Sequence, residues 1–174
     1  MLFRSNRGAE RVSKCIIIVG NTGTGKTTEA RRLMRAVVSM EKFIYDVNNE
    51  YKDIRGSVFC EFKEFLNEAK HKENTCILFE EATIFFSHSN STETIKNILV
   101  RKRHTNNLLI FNFHALRQVP LFILDFANYI IIGKTNDLES RVAAKFADAP
   151  KIYTAWADAQ EDGDRFIKIH VKLN

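Results

Sequence analysis

The sequence predicts an α/β domain, a mainly parallel sheet flanked by helices, and three observations carry that expectation. Short β-branched apolar runs alternate with amphipathic stretches along most of the chain. A glycine-rich segment, residues 20–27, follows the first of these runs and opens a helical pattern. Another run ends on two adjacent carboxylates, Glu80 and Glu81.

The elements follow in order. Lys14 to Val19 (KCIIIV) has the uninterrupted apolar character of a strand buried on both faces. A helix is predicted from Lys26 to about Met40, then a second strand over Phe43 to Val47, so strand, helix and strand form a crossover unit. Ser57 to Cys60 has the makings of a short strand. Phe62, Phe65, Leu66 and Ala69 recur at helical spacing and predict an amphipathic helix over Glu61 to His71. Thr75 to Phe79 is a third buried strand, and Asn90 with Glu93 resembles a capping box opening a helix that ends in Arg101, Lys102, Arg103 and His104. Leu108 to Phe113 and Tyr129 to Ile132 are two more strands, with helices expected around Phe122 to Phe126 and Asp137 to Phe146. At the C-terminus Ile167, Ile169, Val171 and Leu173 alternate with polar residues, and Asp162-Gly163 marks a turn, which predicts a C-terminal β-hairpin.

A chain of 174 residues and 20.1 kDa has room for one domain. We therefore expect a basic N-terminal arm, residues 1–13, followed by a single domain over 14–174. Three widely spaced cysteines, Cys15, Cys60 and Cys76, form no pair suited to a disulfide framework or a zinc site and read as reduced, mostly buried thiols. The histidines His71, His88 and His170 have no metal-ligand spacing either. The longest apolar stretch, Leu121 to Ile132, is broken by Asp125 and Asn128 and falls short of the ~20 apolar residues of a membrane helix. The net charge of +5 is concentrated at the start, where Arg4, Arg7, Arg11 and Lys14 face Glu10 alone. The isoelectric point by itself therefore argues little for nucleic-acid binding.

Gly20, Asn21, Thr22, Gly23, Thr24, Gly25, Lys26 and Thr27 fit GxxxxGK[ST] in full, between a predicted strand and a predicted helix. In such a P-loop the glycines let successive backbone N–H groups point at an anion, and the helix N-terminus adds its positive end. Lys26 supplies charge for the β- and γ-phosphates of ATP. Thr27 offers a hydroxyl to Mg2+, and Thr28 lies near the α-phosphate. The fold expected is thus a P-loop NTPase. Glu80 and Glu81 emerge at the carboxyl edge of the sheet, beside that loop. Phosphoryl transfer needs charge neutralisation and a positioned water, so Glu80 is assigned to the metal and Glu81 to the base role.

Taken together, the phosphate loop, ILFEEA, the segment Tyr45-Asp46-Val47-Asn48-Asn49-Glu50-Tyr51, the RKRH cluster and FNFHALRQVP resemble the FtsK/HerA superfamily of P-loop motor ATPases. Within it the chain is similar to the small genome-packaging ATPases of tailless, membrane-containing viruses. The resemblance covers residues 14 to 135 and implies an ATP-hydrolysing translocase that pumps viral DNA into a preformed capsid. It also implies a homo-oligomeric ring, a capsid-vertex or viral-membrane partner, and residence in the host cytoplasm or at the packaging vertex. Glu80 stands where the family has Asp, and His114 where it has Gln, with Asn112 on the same strand as the rival sensor. Arg101 and Arg103 match the position of the arginine supplied to a neighbouring subunit. Asp46 falls near the catalytic edge, where an Asx turn explains it equally well.

A translocase indifferent to sequence grips phosphates through Lys and Arg. The visible basic sets are Arg31, Arg32 and Arg35, and Lys168 with Lys172, each also explained as a solvated face. The alternatives are a small-molecule or nucleotide kinase, a phage assembly or secretion ATPase, and a DNA-transfer ATPase. Paired carboxylates suited to activating water, together with the absence of an arginine-rich lid pattern, count against the kinase.

Overall fold

The structure, a computed structural model, describes residues 12–87 and 89–173. The basic segment 1–11 and His88 lie outside the described residues. Strands β1 (Lys14–Val19), β2 (Glu41–Tyr45), β3 (Ser57–Phe59), β4 (Thr75–Phe79), β5 (Leu108–Phe113), β6 (Tyr129–Ile132) and β7 (Ile169–Lys172) form one sheet in the order β3-β2-β4-β5-β1-β6-β7. All pairs are parallel except β6 with β7. Helices α1 (Lys26–Ala36), α2 (Phe62–Ala69), α3 (Ser89–Thr105), α4 (Leu121–Leu124), α5 (Glu139–Lys145) and α6 (Pro150–Glu161) connect them. No helix among the described residues is long and apolar enough to cross a membrane.

The period of two along each strand divides its side chains between two cores. Cys15, Ile17 and Val19 of β1 join Ile77, Phe79, Leu109, Phe111 and Phe113 under α2, α3 and α6. Ile16 and Ile18 join Cys76, Leu78, Leu108 and Ile110 under α1, with Leu33 and Met34. A strand covered on both faces has no polar side to show, which is why these runs are uninterrupted.

The first core is built on aromatic rings. Phe65 of α2 stacks on Phe43 at 5.0 Å between centroids and meets Phe79 edge-on at 5.2 Å, while Phe79 stacks on Phe111 at 4.3 Å. Tyr45, Phe59 and Phe85 also touch Phe65. The amphipathic helix expected from its spacing thus docks through this ring, with Leu66 and Ala69 buried beside it.

Several details depart from expectation. The crossover from β1 through α1 does not reach a neighbouring strand, because β4 and β5 lie between β1 and β2. Helix α1 stops at Ala36, where the Val37 and Met40 amides bond back to Met34 and Val37 in successive turns. β2 ends at Tyr45, because Asp46 turns the chain: its Oδ1 accepts from Asn48 N–H at 3.2 Å and its Oδ2 from Tyr51 N–H at 2.9 Å. Asp46 is therefore an Asx turn. α3 already includes Ser89, so Asn90 is inside the helix, its carbonyl accepting from Thr94 Oγ1 at 3.0 Å, and no Asn90–Glu93 capping box starts it. The C-terminal antiparallel pair is present, but β7 is joined to β6 across α5 and α6 and makes no hairpin at Asp162-Gly163. The alternation nevertheless works as read, with Ile167, Ile169, Val171 and Leu173 packed on the first core. Cys15 and Cys76 are buried, and Cys60, between β3 and α2, is exposed.

Phe65→Ala removes the ring on which five others converge, and we expect a loss of about 3–5 kcal/mol in urea unfolding. A loss below about 1 kcal/mol would mean that α2 is not held through this ring.

Candidate functional site

Because β1 to β6 are parallel, their carboxyl ends share one edge, and the chemistry gathers there. The loop after β1 is tied down on both sides: Gly20 N–H donates to Phe113 O at 3.1 Å and Asn21 N–H to Lys134 O at 2.7 Å. Thr24 closes it from within, its hydroxyl donating to Asn21 O at 2.8 Å. Gly23 and Gly25 have φ of 78° and 84°, a left-handed backbone that side-chain-bearing residues adopt at a cost. Gly25 then opens α1, so the free amides of its first turn face the loop. Lys26 is buried, its ammonium donating to Asn21 O at 3.1 Å and to His114 Nδ1 at 3.3 Å. Burial pulls its pKa below the ordinary lysine value, against the opposing pull of Glu80, Glu81 and Glu50.

Strand parity decides where the two carboxylates go. Glu80 continues the alternation of Cys76 and Leu78 towards the α1 face, and Asn112 continues that of Leu108 and Ile110 to the same face. They meet there: Glu80 Oε2 accepts from Asn112 Nδ2 and from Tyr51 Oη, both at 2.5 Å. Glu80 is only 3% exposed, and burial raises its pKa above the usual carboxylate value although both donors oppose that rise. Tyr51, also buried, is positioned by the Asp46 turn.

Glu81 leaves the strand with φ 52° and ψ 46°, a left-handed turn that takes it off the sheet's alternation. Both its carboxylate oxygens lie 2.7 Å from His114 Nε2. Nδ1 of His114 faces an ammonium and must accept, so Nε2 carries the proton towards Glu81. Lys26, His114 and Glu81 thus form one hydrogen-bonded line.

The cleft between the loop and these residues has a volume of about 380 Å³ and is lined by Thr22, Gly23, Gly25, Lys26, Thr27, Thr28, Asn48, Glu50, Glu80, Glu81, His114 and Phe166. A wider hollow of about 490 Å³, lined in part by Met34, Val38, Met40 and Ile54, contains neither the loop nor the paired carboxylates. Glu50, Tyr51 and Phe166 are site residues that the motif reading missed. Glu50 and Tyr51 were legible only as part of a resembling segment; here the Glu50 carboxylate accepts from the Thr27 hydroxyl at 3.3 Å.

The oxygens around Thr27 fit a magnesium ion. No cluster of three or more His, Cys, Asp or Glu side chains among the described residues forms a metal cage. Mg2+ requires none, since it keeps waters and takes substrate phosphates beside one or two protein oxygens. Thr27 Oγ1 and the Glu80 carboxylate line the cleft and would supply such oxygens, with Glu50 Oε2 3.3 Å from Thr27 Oγ1 beside them. The buried Asn112 Oδ1 has no hydrogen-bond partner among the described residues.

Residues 16–146 match the ATPase family associated with various cellular activities, AAA. The chain belongs to this family. No curated protein sequence matches it significantly. In three dimensions this AAA domain is similar to the DNA-packaging ATPase B204 of Sulfolobus turreted icosahedral virus, with a TM-score of 0.74, 14% identity and 94% of each chain covered. It is also similar to the genome-packaging NTPase B204 of Sulfolobus turreted icosahedral virus 2 in complex with AMPPCP, with a TM-score of 0.71, 16% identity, and 92% of this chain and 93% of that one covered. A KaiC-like protein of Pyrococcus horikoshii shares less, with a TM-score of 0.50, 13% identity and 70% of this chain covered.

Other candidates fall away from the cleft. Arg101 and Arg103 are exposed near the end of α3, where the chain enters β5, at the opposite edge of the sheet. Six strand residues, about 20 Å, separate that edge from the loop. Arg31 and Arg35 pair with Asp53, and Arg32 with Glu29, so the basic set on α1 is already met by carboxylates of its own chain.

The Tyr51 hydroxyl stabilises the charged form of Glu80, so its contribution is present where Glu80 is ionised and shrinks as pH falls and the carboxyl takes up a proton. Tyr51→Phe is expected to cost about 1.5–3 kcal/mol in denaturant unfolding at neutral pH, with a narrowing gap towards pH 4. A gap that is constant with pH would place the bond on a neutral carboxyl.

Proposed function

We propose that this AAA ATPase hydrolyses ATP to move DNA, packaging a viral genome into a preformed capsid as a homo-oligomeric ring. The observation that carries the reading is the line from Lys26 through His114 to Glu81, which joins the phosphate-binding charge to the residue suited to hold water. It is supported by the similarity, over more than nine-tenths of both chains, to packaging NTPases.

In this reading the loop amides, Lys26 and the start of α1 bind the triphosphate, and Thr27 with Glu80 holds Mg2+. When bound, that ion neutralises charge on the β- and γ-oxygens. Arrival of the γ-phosphate draws the Lys26 ammonium from His114. Freed on one side, His114 still donates to Glu81 and orients its carboxylate towards the attacking water. Asn112 keeps Glu80 in place, which makes His114 the sensor and Asn112 its support. Arg101 and Arg103 are too far to reach the phosphates of their own chain, so either acts only on a neighbour's nucleotide. A ring is the assembly in which every site receives one. DNA is gripped through its phosphates, and a capsid-vertex or viral-membrane protein anchors the ring.

Steady-state hydrolysis with and without double-stranded DNA, over a range of protein and salt concentrations, tests the motor. Turnover should rise with protein concentration and with DNA, and the stimulation should fade between roughly 50 and 200 mM salt. DNA-indifferent turnover that requires a small phosphate acceptor would instead identify a kinase. Glu81→Gln should lower kcat by about 10²–10⁴-fold while ATP still binds, and unchanged kcat refutes the base role. Arg101→Ala and Arg103→Ala variants, each mixed with Lys26→Ala subunits, should regain turnover at hybrid interfaces if that arginine acts in trans. Full activity of both variants unmixed would exclude them.

A further inference from the structure

The segment entering β7 runs along the phosphate loop, and three of its side chains have no structural task there. A β-carbon placed on Gly23 would overlap the Arg165 guanidinium, and one on Gly25 would stand 3.0 Å from Lys168 Nζ and 3.7 Å from the Phe166 ring. Two loop glycines therefore admit two cations and an aromatic ring at close range. Neither cation forms an ion pair among the described residues: Lys168 donates to its neighbour's carbonyl, Phe166 O, at 3.2 Å, and the nearby Glu29 carboxylate is held by Arg32. Phe166 is 60% exposed although it lines the same cleft as Lys26, Thr27 and Thr28.

The backbone that presents these groups is fixed. Asp162 Oδ1 accepts from Asp164 N–H at 2.6 Å, Asp164 Oδ1 accepts from Phe166 N–H at 2.8 Å, and Asp164 O accepts from Ile167 N–H at 3.3 Å. Ile167 then turns into the core. An anchored turn thus holds a bare apolar ring and two uncompensated cations against a loop whose amides already face an anion. Unpaired positive charge beside a helix N-terminus calls for a polyanion, and an exposed aromatic face beside it calls for a flat partner. One ligand class has both, a nucleoside triphosphate.

We propose that Arg165, Phe166 and Lys168 form a clamp, supplied by the same chain, that completes the nucleotide site. Phe166 stacks on the base, and Arg165 and Lys168 meet the phosphates from the side opposite Lys26. This rests on the ATP-binding reading of the loop and adds the base-binding half that the loop lacks. It also gives Lys168 a role at the nucleotide in place of one at DNA.

Calorimetric titration with Mg2+-ATP and with Mg2+-tripolyphosphate, which has the phosphates and no base, tests the clamp. Phe166→Ala should weaken ATP about tenfold or more and leave tripolyphosphate unchanged, and Phe166→Tyr should restore ATP. The double variant Arg165→Gln, Lys168→Gln should weaken both ligands. If Phe166→Ala binds ATP like the wild type while Lys26→Ala does not, the clamp is refuted and the loop reading stands. If Phe166→Ala weakens both ligands equally, the ring does not bind the base and the proposal fails. A wild type that binds neither ligand overturns the loop reading, and the clamp with it.

Discussion

A carboxylate kept out of water at the end of β4 is the constraint around which the catalytic edge is arranged. Glu80 is buried on all sides, and a lone charge in such a place is costly unless donors meet it. Two do, and each is held by a different part of the chain: Asn112 by its register on β5, and Tyr51 by the turn that Asp46 makes after β2. The sheet order follows the same need. With β5 between β1 and β4, its last residues stand between the phosphate loop and the paired carboxylates. Asn112 faces one carboxylate and His114 the other. Had β2 paired directly with β1, as a simple crossover would have it, neither side chain would have this place.

Much of the fold was legible because burial on both faces leaves a plain mark. β4, β5 and β6 begin and end where their apolar runs do, and β1 runs from Lys14 to Val19 as its run indicates. Helix ends were less legible, since propensity is a weak guide to a terminus and the local turns at Val37 and Met40 decide the stop. α6 carries the same mark as α2, with Ile152, Ala155, Trp156 and Ala159 at i, i+3, i+4 and i+7 behind Pro150, and it is missing from the helices expected from the sequence. The partner of β7 was misjudged for a different reason. Alternation states which face of a strand is buried and is silent on which strand lies beside it.

The site divides in the same way. The phosphate loop is recognisable locally, because the residues whose types define it lie within one short stretch, although the Phe113 and Lys134 carbonyls hold it in place. Glu80 and Glu81 are adjacent in sequence yet face different partners, because the left-handed turn at Glu81 breaks the alternation. No pattern of residue types announces a positive φ at a glutamate. Glu50 and Phe166 are more distant still, one brought in by the loop after β2 and the other by a segment that follows α6.

The contrast among the three thiols has a practical side. Cys15 and Cys76 are buried within the sheet, and loss of hydration pushes both up to about 12, leaving almost no thiolate at neutral pH. Cys60 stands in solvent just past β3, on the same edge of the sheet as the phosphate loop but at the far end of the strand order. A maleimide dye would therefore attach at one position of the native sequence, without cysteine replacement. In the proposed ring, subunits carrying donor and acceptor dyes there would report their spacing by energy transfer during turnover.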